Sequence, residues 1–212
     1  SEQVETIYNL PLKDRAQREV RDMFVFQCLT SLRASNILGA DFTKHKGNRQ
    51  FEVVQVKEKG SFNQVVSLDL DPKIETILER NDWKFKDLDL QTYNKIIEAI
   101  IKQTPFANDT ITIKTKLASG KIKTTETPLY KAIRSHSGRR TFITEMRSNP
   151  NIQDRDLVQF TGHANIELLA IYDKTSKQTS VNNILQAKGK AELSGAIQTL
   201  PSHPFFALYD YI

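Results

Sequence analysis

The sequence predicts a mainly helical α+β fold carrying small antiparallel β-hairpins. Apolar residues recur at helical spacing in the first part and again through most of the second half. Between these regions two short stretches switch to the two-residue alternation of strands, each folded about a glycine-containing turn. The chain has 212 residues, enough for one generous domain or one domain with a small appendage. A hydrophobic fraction of 39% with 26% charged residues is that of a globular protein and excludes a disordered composition.

The elements follow in order. The run 13-KDRAQREVRDMFVFQCLTSLRASNIL-38 has a charged start and an apolar second half. Its length predicts two helices that break near Leu32, with Arg33 at the junction. The next stretch, 51-FEVVQVKEKGSFNQVVSLDL-70, predicts strands over Phe51–Val56 and Gln64–Leu68 around a polar Lys57–Asn63 turn containing Gly60. Pro72 is placed to open a short helix. In 90-LQTYNKIIEAIIKQT-104, Tyr93, Ile96, Ile97, Ile100 and Ile101 share one face of a helix. Two alternating runs, 110-TITIKT-115 and 121-KIKTTE-126, surround Ser119-Gly120 and predict a second hairpin. Helices are expected over 137–148, 153–161, 165–173 and 180–197, ahead of Pro201, Pro204 and an aromatic tail, 205-FFALYDYI-212.

The single cysteine, Cys28, lies in an apolar run and reads as a small core residue in a reducing compartment, because a disulfide framework needs pairs. No stretch approaches the roughly 20 apolar residues of a membrane span, and no leader pattern opens the chain. These features predict a soluble, cytoplasmic protein.

Net charge is +5, and its distribution is more telling than its size. Residues 109–147 hold nine Lys/Arg (Lys114, Lys116, Lys121, Lys123, Lys131, Arg134, Arg139, Arg140 and Arg147) against Asp109, Glu126 and Glu145. Such segregation is the footprint of a nucleic-acid-binding surface, and equally of a solvated basic loop and helix. Within it lies 133-IRSHSGRRTFITEMRSN-149, where His136 and Arg139 stand at i and i+3 near a helix start and share a face. A DNA-contacting helix, a phosphate-handling site and an ordinary exposed basic helix all fit that stretch. Farther on, 160-FTGHANIELLAIYDK-174 sets Gly162-His163 at a helix boundary and Tyr172 nine residues after His163. Taken singly, Tyr172 reads as a core aromatic, and His163 as a capping or core histidine.

Together these residues resemble the catalytic domain of the tyrosine recombinases. Arg33 in 29-LTSLRASNI-37, a lysine-bearing hairpin, H-x-x-R at 136–139, Gly162-His163 and Tyr172 reproduce the family order. The likeness spans roughly residues 12–185 and is strongest to integrases of Bacteroidetes mobile elements, in 23-MFVFQCLTSLRASNIL-38 and 135-SHSGRRTFITE-145. It implies metal-free, cofactor-free cleavage and rejoining of double-stranded DNA through a 3′-phosphotyrosine. Tyr172 is then the nucleophile, and Arg33 and Arg139 clamp the phosphate. His136 helps deprotonate the tyrosine or positions the phosphate, and His163 bonds a phosphoryl oxygen. Arginine suits the clamp because its planar fork meets two phosphate oxygens and stays charged. Each well-placed donor to developing charge is typically worth about 3–4 kcal/mol. The family's general acid is a hairpin lysine. Lys57, two residues after Gln55 as in the family pattern, is favoured over Lys59. Lys59, Lys114, Lys116, Lys121, Lys123 and Arg140 are the candidate DNA-backbone contacts.

Two positions depart from the family pattern. Ser31 stands where a glycine precedes the Leu-Arg pair, and Asn36 stands where an acid usually follows the arginine. The resemblance also implies a catalytic domain over 1–185, with 186–212 forming a helix end and tail. The last helix, about 180–197, is expected to dock on another protomer in a tetrameric synapse. The aromatic tail 205–212 has no family counterpart, and packing in cis, docking in trans and disorder all stay open for it. The family's N-terminal core-binding domain finds no room before Lys13. Two other classes stay open. A helix-turn-helix DNA-binding protein would explain 153–174 but not the upstream residues. A metal-dependent nuclease would have His136 and His163 as ligands but no carboxylate cluster to accompany them.

Overall fold

Helix α2, Arg15–Thr30, is the axis on which the other elements pack. The computed structural model of the chain describes residues 1–57, 60–117, 119–149 and 151–162. Asp14 caps α2 by accepting a 2.8 Å hydrogen bond from the Gln17 N–H, which satisfies one of the four amides a helix start leaves open. From Val20 to Cys28 every residue of α2 is buried, because neighbours surround it on several sides. It contacts α1 (Glu2–Tyr8), α3 (Pro72–Arg80), α4 (Leu90–Ile101) and α6 (Ser135–Arg147).

The boundaries have local causes. Asp71 caps α3 and Pro72 occupies its first turn, where a missing N–H costs nothing. Asp89 caps α4 through a 2.9 Å bond from the Thr92 N–H, and Tyr93, Ile97, Ile100 and Ile101 form its buried face. Helix α1 falls before the first element predicted from the sequence. It has seven residues and buries only two apolar ones, Val4 and Ile7, too short a pattern for periodicity to stand out.

The predicted second helix after Leu32 is instead a 3-10 turn, Ala34–Asn36. Helix α2 stops at Ser31, whose φ of +62° is left-handed and cannot continue it. The first hairpin is also tighter than expected. Strands β1 (Gln50–Lys57) and β2 (Gly60–Ser67) pair continuously from Gln50↔Ser67 to Lys57↔Gly60, so residues 60–63 belong to a strand rather than a turn. Their inward face holds Phe51, Gln55, Gln64 and Val66, all buried. Phe51 joins an aromatic group with Phe42, at 5.4 Å between ring centres, and Trp83, at 6.4 Å.

The second hairpin, β3 (Thr110–Lys116) with β4 (Ile122–Pro128), forms as predicted and leads into α5, Leu129–Ala132. Helices α6 and α7 (Asp154–Thr161) are held by a satellite core of Phe142, Ile143 and Leu157. No helix among the described residues is long and apolar enough to cross a membrane. The helices expected over 165–173 and 180–197 lie outside the described residues.

Candidate active site

The C-terminal end of α2 organises the site. Left-handed Ser31 turns the chain so that Leu32 enters the core and Arg33 emerges half-buried as the N-cap of the 3-10 turn. This explains the first departure from the family pattern: a residue with positive φ is where glycine costs least. The second is explained as well. Asn36 does not replace an acid beside Arg33. Its Nδ2 donates 3.0 Å to the Val54 carbonyl and ties the turn to β1. Arg33 instead donates from Nη1 to Oε1 of Gln55 on β1.

Helix α6 contributes His136 and Arg139. It crosses α2 closely, because Gly138 presents no side chain there: a Cβ at this position would stand 2.9 Å from Gln27 Cβ. Its first turn is fixed by Asn94 of α4, which accepts 2.7 Å from the Ser135 N–H. Arg139 is only 1% exposed, and its guanidinium bridges two segments. Nη1 donates 2.7 Å to the carbonyl of Ser31, two residues before Arg33, and Nη2 donates 2.5 Å to the carbonyl of Thr161. One arginine thereby locks the ends of α2 and α7 together.

His136 lines a cavity of about 260 Å³ with Arg33, Ala34, Ser35, Leu38, Leu90 and Ser135. Burial by the surrounding protein lowers its pKa to about 4, aided by the positive charges of Arg140, Arg139 and Arg33. Because the residue retains solvent exposure at the cavity mouth, the three charges are the firmer cause. His136 is therefore neutral at physiological pH, and it shares one electropositive neighbourhood with Arg33 and Arg139. A bound phosphate would neutralise those charges and raise the imidazole's proton affinity.

At the end of α7, Gly162 has a φ of +64°, and a Cβ there would lie 2.3 Å from the Phe62 ring on β2. The lysine hairpin thus packs directly on the residue preceding His163. Lys57 is the last residue of β1, paired with Gly60. Lys59, His163 and Tyr172 lie outside the described residues. Lys114 and Lys116 fall on β3, whereas Lys121 and Lys123 are exposed at the start of the return strand. Arg140 sits half-buried on α6. Of these, Lys121, Lys123 and Arg140 do not line the cavity. Among the described residues no group of three or more His, Cys, Asp and Glu side chains gathers as a metal site.

Reading the sequence alone overlooks four supports: Gln64, Phe62, Gly138 and Asn94. One of them, Gln64, has a signal there, shared with Gln55. Both are amides at inward-facing strand positions otherwise filled by Phe51 and Val66, and a polar residue on a buried face needs a partner.

The model of the phage integrase family matches residues 1–179 of the chain. The chain belongs to the phage integrase family. The match takes in α1, which the residue motifs left aside. Solved structures similar to this integrase-family chain include the Tn1549 transposon integrase in complex with transposon right end DNA, at 13% identity and a TM-score of 0.53. That likeness covers 88% of this chain and 64% of that one. The XerH site-specific recombinase bound to palindromic difH substrate is similar at 16% identity and a TM-score of 0.54, over 88% of this chain and 49% of that one. The chain therefore spans about half to two thirds of these structures, and at such identities the likeness is one of fold. No curated protein matches the sequence.

Proposed function

We propose that this chain carries the catalytic centre of a site-specific DNA recombinase that cleaves and rejoins double-stranded DNA through a 3′-phosphotyrosine. The observation that supports this most is the meeting of Arg33, His136 and Arg139, from parts of the chain a hundred residues apart, at the end of α2. They meet within a fold shared with integrases and recombinases.

In this reading the Tyr172 hydroxyl attacks the scissile phosphorus and passes its proton to neutral His136. The bond from phosphorus to the 5′-oxygen breaks, and the leaving oxygen takes a proton from Lys57. Arg33, Arg139 and His163 stabilise the negative charge that builds on the non-bridging oxygens. Rejoining reverses each transfer, so no external energy source and no metal are required. Residues 1–185 act as the catalytic domain, and 186–212 serve as a segment for docking other protomers in a DNA-bound assembly in the cytoplasm. Lys59, Lys114, Lys116, Lys121, Lys123 and Arg140 contribute backbone contacts.

The test uses a pool of random-sequence duplexes, each carrying a single nick, without added metal. A covalent protein–DNA adduct is expected, and it disappears in Tyr172→Phe. Cleavage that requires Mg²⁺, or binding with no adduct from any member of the pool, overturns the reading.

A further inference from the structure

The side-chain hydrogen bonds leading away from Arg33 form a chain with one direction. Arg33 Nη1 donates to Gln55 Oε1, and Gln55 Nε2 donates to Gln64 Oε1. Gln64 Nε2 in turn donates 2.6 Å to the carbonyl of Thr30, the last residue of α2. Gln55, Gln64 and Thr30 are all 0% exposed, so water does not substitute for any of these partners.

The two ends fix the polarity of the whole chain. A guanidinium only donates and a peptide carbonyl only accepts, so each amide has a single workable orientation. The carbonyl at the far end is one that a helix terminus leaves open, and it lies at the negative end of the α2 dipole. Bonds oriented head to tail in a dry interior polarise one another. The acceptor that reaches Arg33 is thus strengthened by the helix end yet carries no net charge. A carboxylate in this position would hold the guanidinium equally well but would neutralise it against the phosphate it has to grip.

Gln55 also has a second connection. It lies two residues before Lys57 on β1 and directly opposite Phe62, the residue packed on Gly162. Any shift of the hairpin must therefore move the acceptor of Arg33.

We propose that Gln55 and Gln64 are positioning residues that orient Arg33 through a neutral amide relay and couple it to the hairpin bearing Lys57. This inference rests on the recombinase reading of Arg33. Neither glutamine touches the reacting atoms, and both act through the guanidinium.

The experiment compares the full chain with Gln55→Met, Arg33→Lys, the double variant of those two, and Gln55→Met/Gln64→Met. Two quantities are read: single-turnover adduct formation on the nicked duplex pool, and the ¹⁵N-resolved guanidinium signals, with Arg33 assigned by its loss in Arg33→Lys. In the parent chain the Arg33 Nη signals are expected to be split by restricted rotation, and in Gln55→Met they merge. Gln55→Met slows adduct formation about 10–100-fold, the range that outer partners of a site ligand usually command. In the Arg33→Lys background the same change alters the rate less than about twofold, since sites that share a partner are not additive. Gln55→Met/Gln64→Met removes both side-chain amides but frees the buried Thr30 carbonyl, so it recovers part of the thermal stability without recovering the rate.

Merged signals in the parent chain, or a rate loss equal in both backgrounds, overturn the relay. A rate that returns together with stability assigns the glutamines a purely structural role and overturns it too. If Arg33→Lys leaves adduct formation unchanged, the recombinase assignment of Arg33 fails instead, and the guanidinium signals still decide whether the relay holds that side chain.

Discussion

The two hairpins share a topology and nearly a length, yet they do different physical work. In β1–β2 one face is buried and chemically mixed: Phe51 and Val66 anchor it, while Gln55 and Gln64 carry the amide relay to Arg33. In β3–β4 the described anchors all lie on β3: Ile111, at 3% exposure, and the partly buried Ile113. Strand β4 is exposed from Ile122 to Glu126, on both of its faces. Strand alternation is therefore necessary for a hairpin and says little about its role. That role follows from whether the inward face finds partners. A hairpin seated in the core can hold a side chain to within a fraction of an ångström, whereas one standing in solvent can offer charge.

The sharpest way to break this contrast is to remove one apolar side chain from each hairpin. Phe51→Ala takes a ring from the Phe42–Trp83 group and is expected to cost about 3–5 kcal/mol in urea unfolding. Ile122→Ala, at a position 60% exposed, should stay within about 0.5 kcal/mol of the parent chain. Equal losses would show that the second hairpin is seated as firmly as the first.

Next in size is the joint between the first hairpin and α7. Gly162→Ala places a methyl group 2.3 Å from the Phe62 ring and forces a side chain onto a φ of +64°. Overpacking and left-handed backbone together are expected to cost about 2–4 kcal/mol. Adding Phe62→Ala should relieve the steric part and leave the backbone part. If the pair of changes is simply additive, hairpin and helix end do not bear on each other.

The same contrast explains what the sequence disclosed. Helices α3, α4, α6 and α7 were legible because each shows its apolar spacing beside a cap or proline, and the second hairpin was legible from alternation around Ser119-Gly120. Arg33, His136 and Arg139 stood out through spacing and order, and the fold brings them together. The extent of β2 was hidden because Ser61 and Asn63 look like turn residues, and only their pairing with Val56 and Val54 makes them a strand. Gln55, one partner of Arg33, was hidden for a related reason. The eye looks for an acid near the arginine in sequence, whereas the structure supplies an amide 22 residues away.

A smaller effect of opposite sign is expected at Ser31, where the relay's helix ends. Its φ of +62° suits glycine, and its buried hydroxyl has no hydrogen-bond partner among the described residues. Ser31→Gly removes both penalties but adds the entropy of a freer unfolded chain. The net expectation is a gain of about 0.5–1 kcal/mol, or a Tm rise of about 1–4 °C by calorimetry. A loss would mean that the serine side chain supports the α2 terminus in some further way.

The smallest effect on stability should come from the second hairpin, and it isolates charge from positioning. Changing Lys114, Lys116, Lys121 and Lys123 together to glutamine leaves the anchoring residues Ile111 and Ile113 in place, so unfolding should move by no more than about 0.5 kcal/mol. Binding to random-sequence duplex should respond quite differently. Removing a cation from a phosphate makes the slope of log K against log salt shallower by about 0.9, because one fewer counterion is released. Gln55→Met is expected to do the reverse, slowing adduct formation while leaving that slope in place, since no exposed charge is altered. If the four lysines leave the salt slope untouched, the second hairpin does not track the DNA backbone. The basic charge of residues 109–147 would then act through its remaining cations, Lys131, Arg134, Arg139, Arg140 and Arg147.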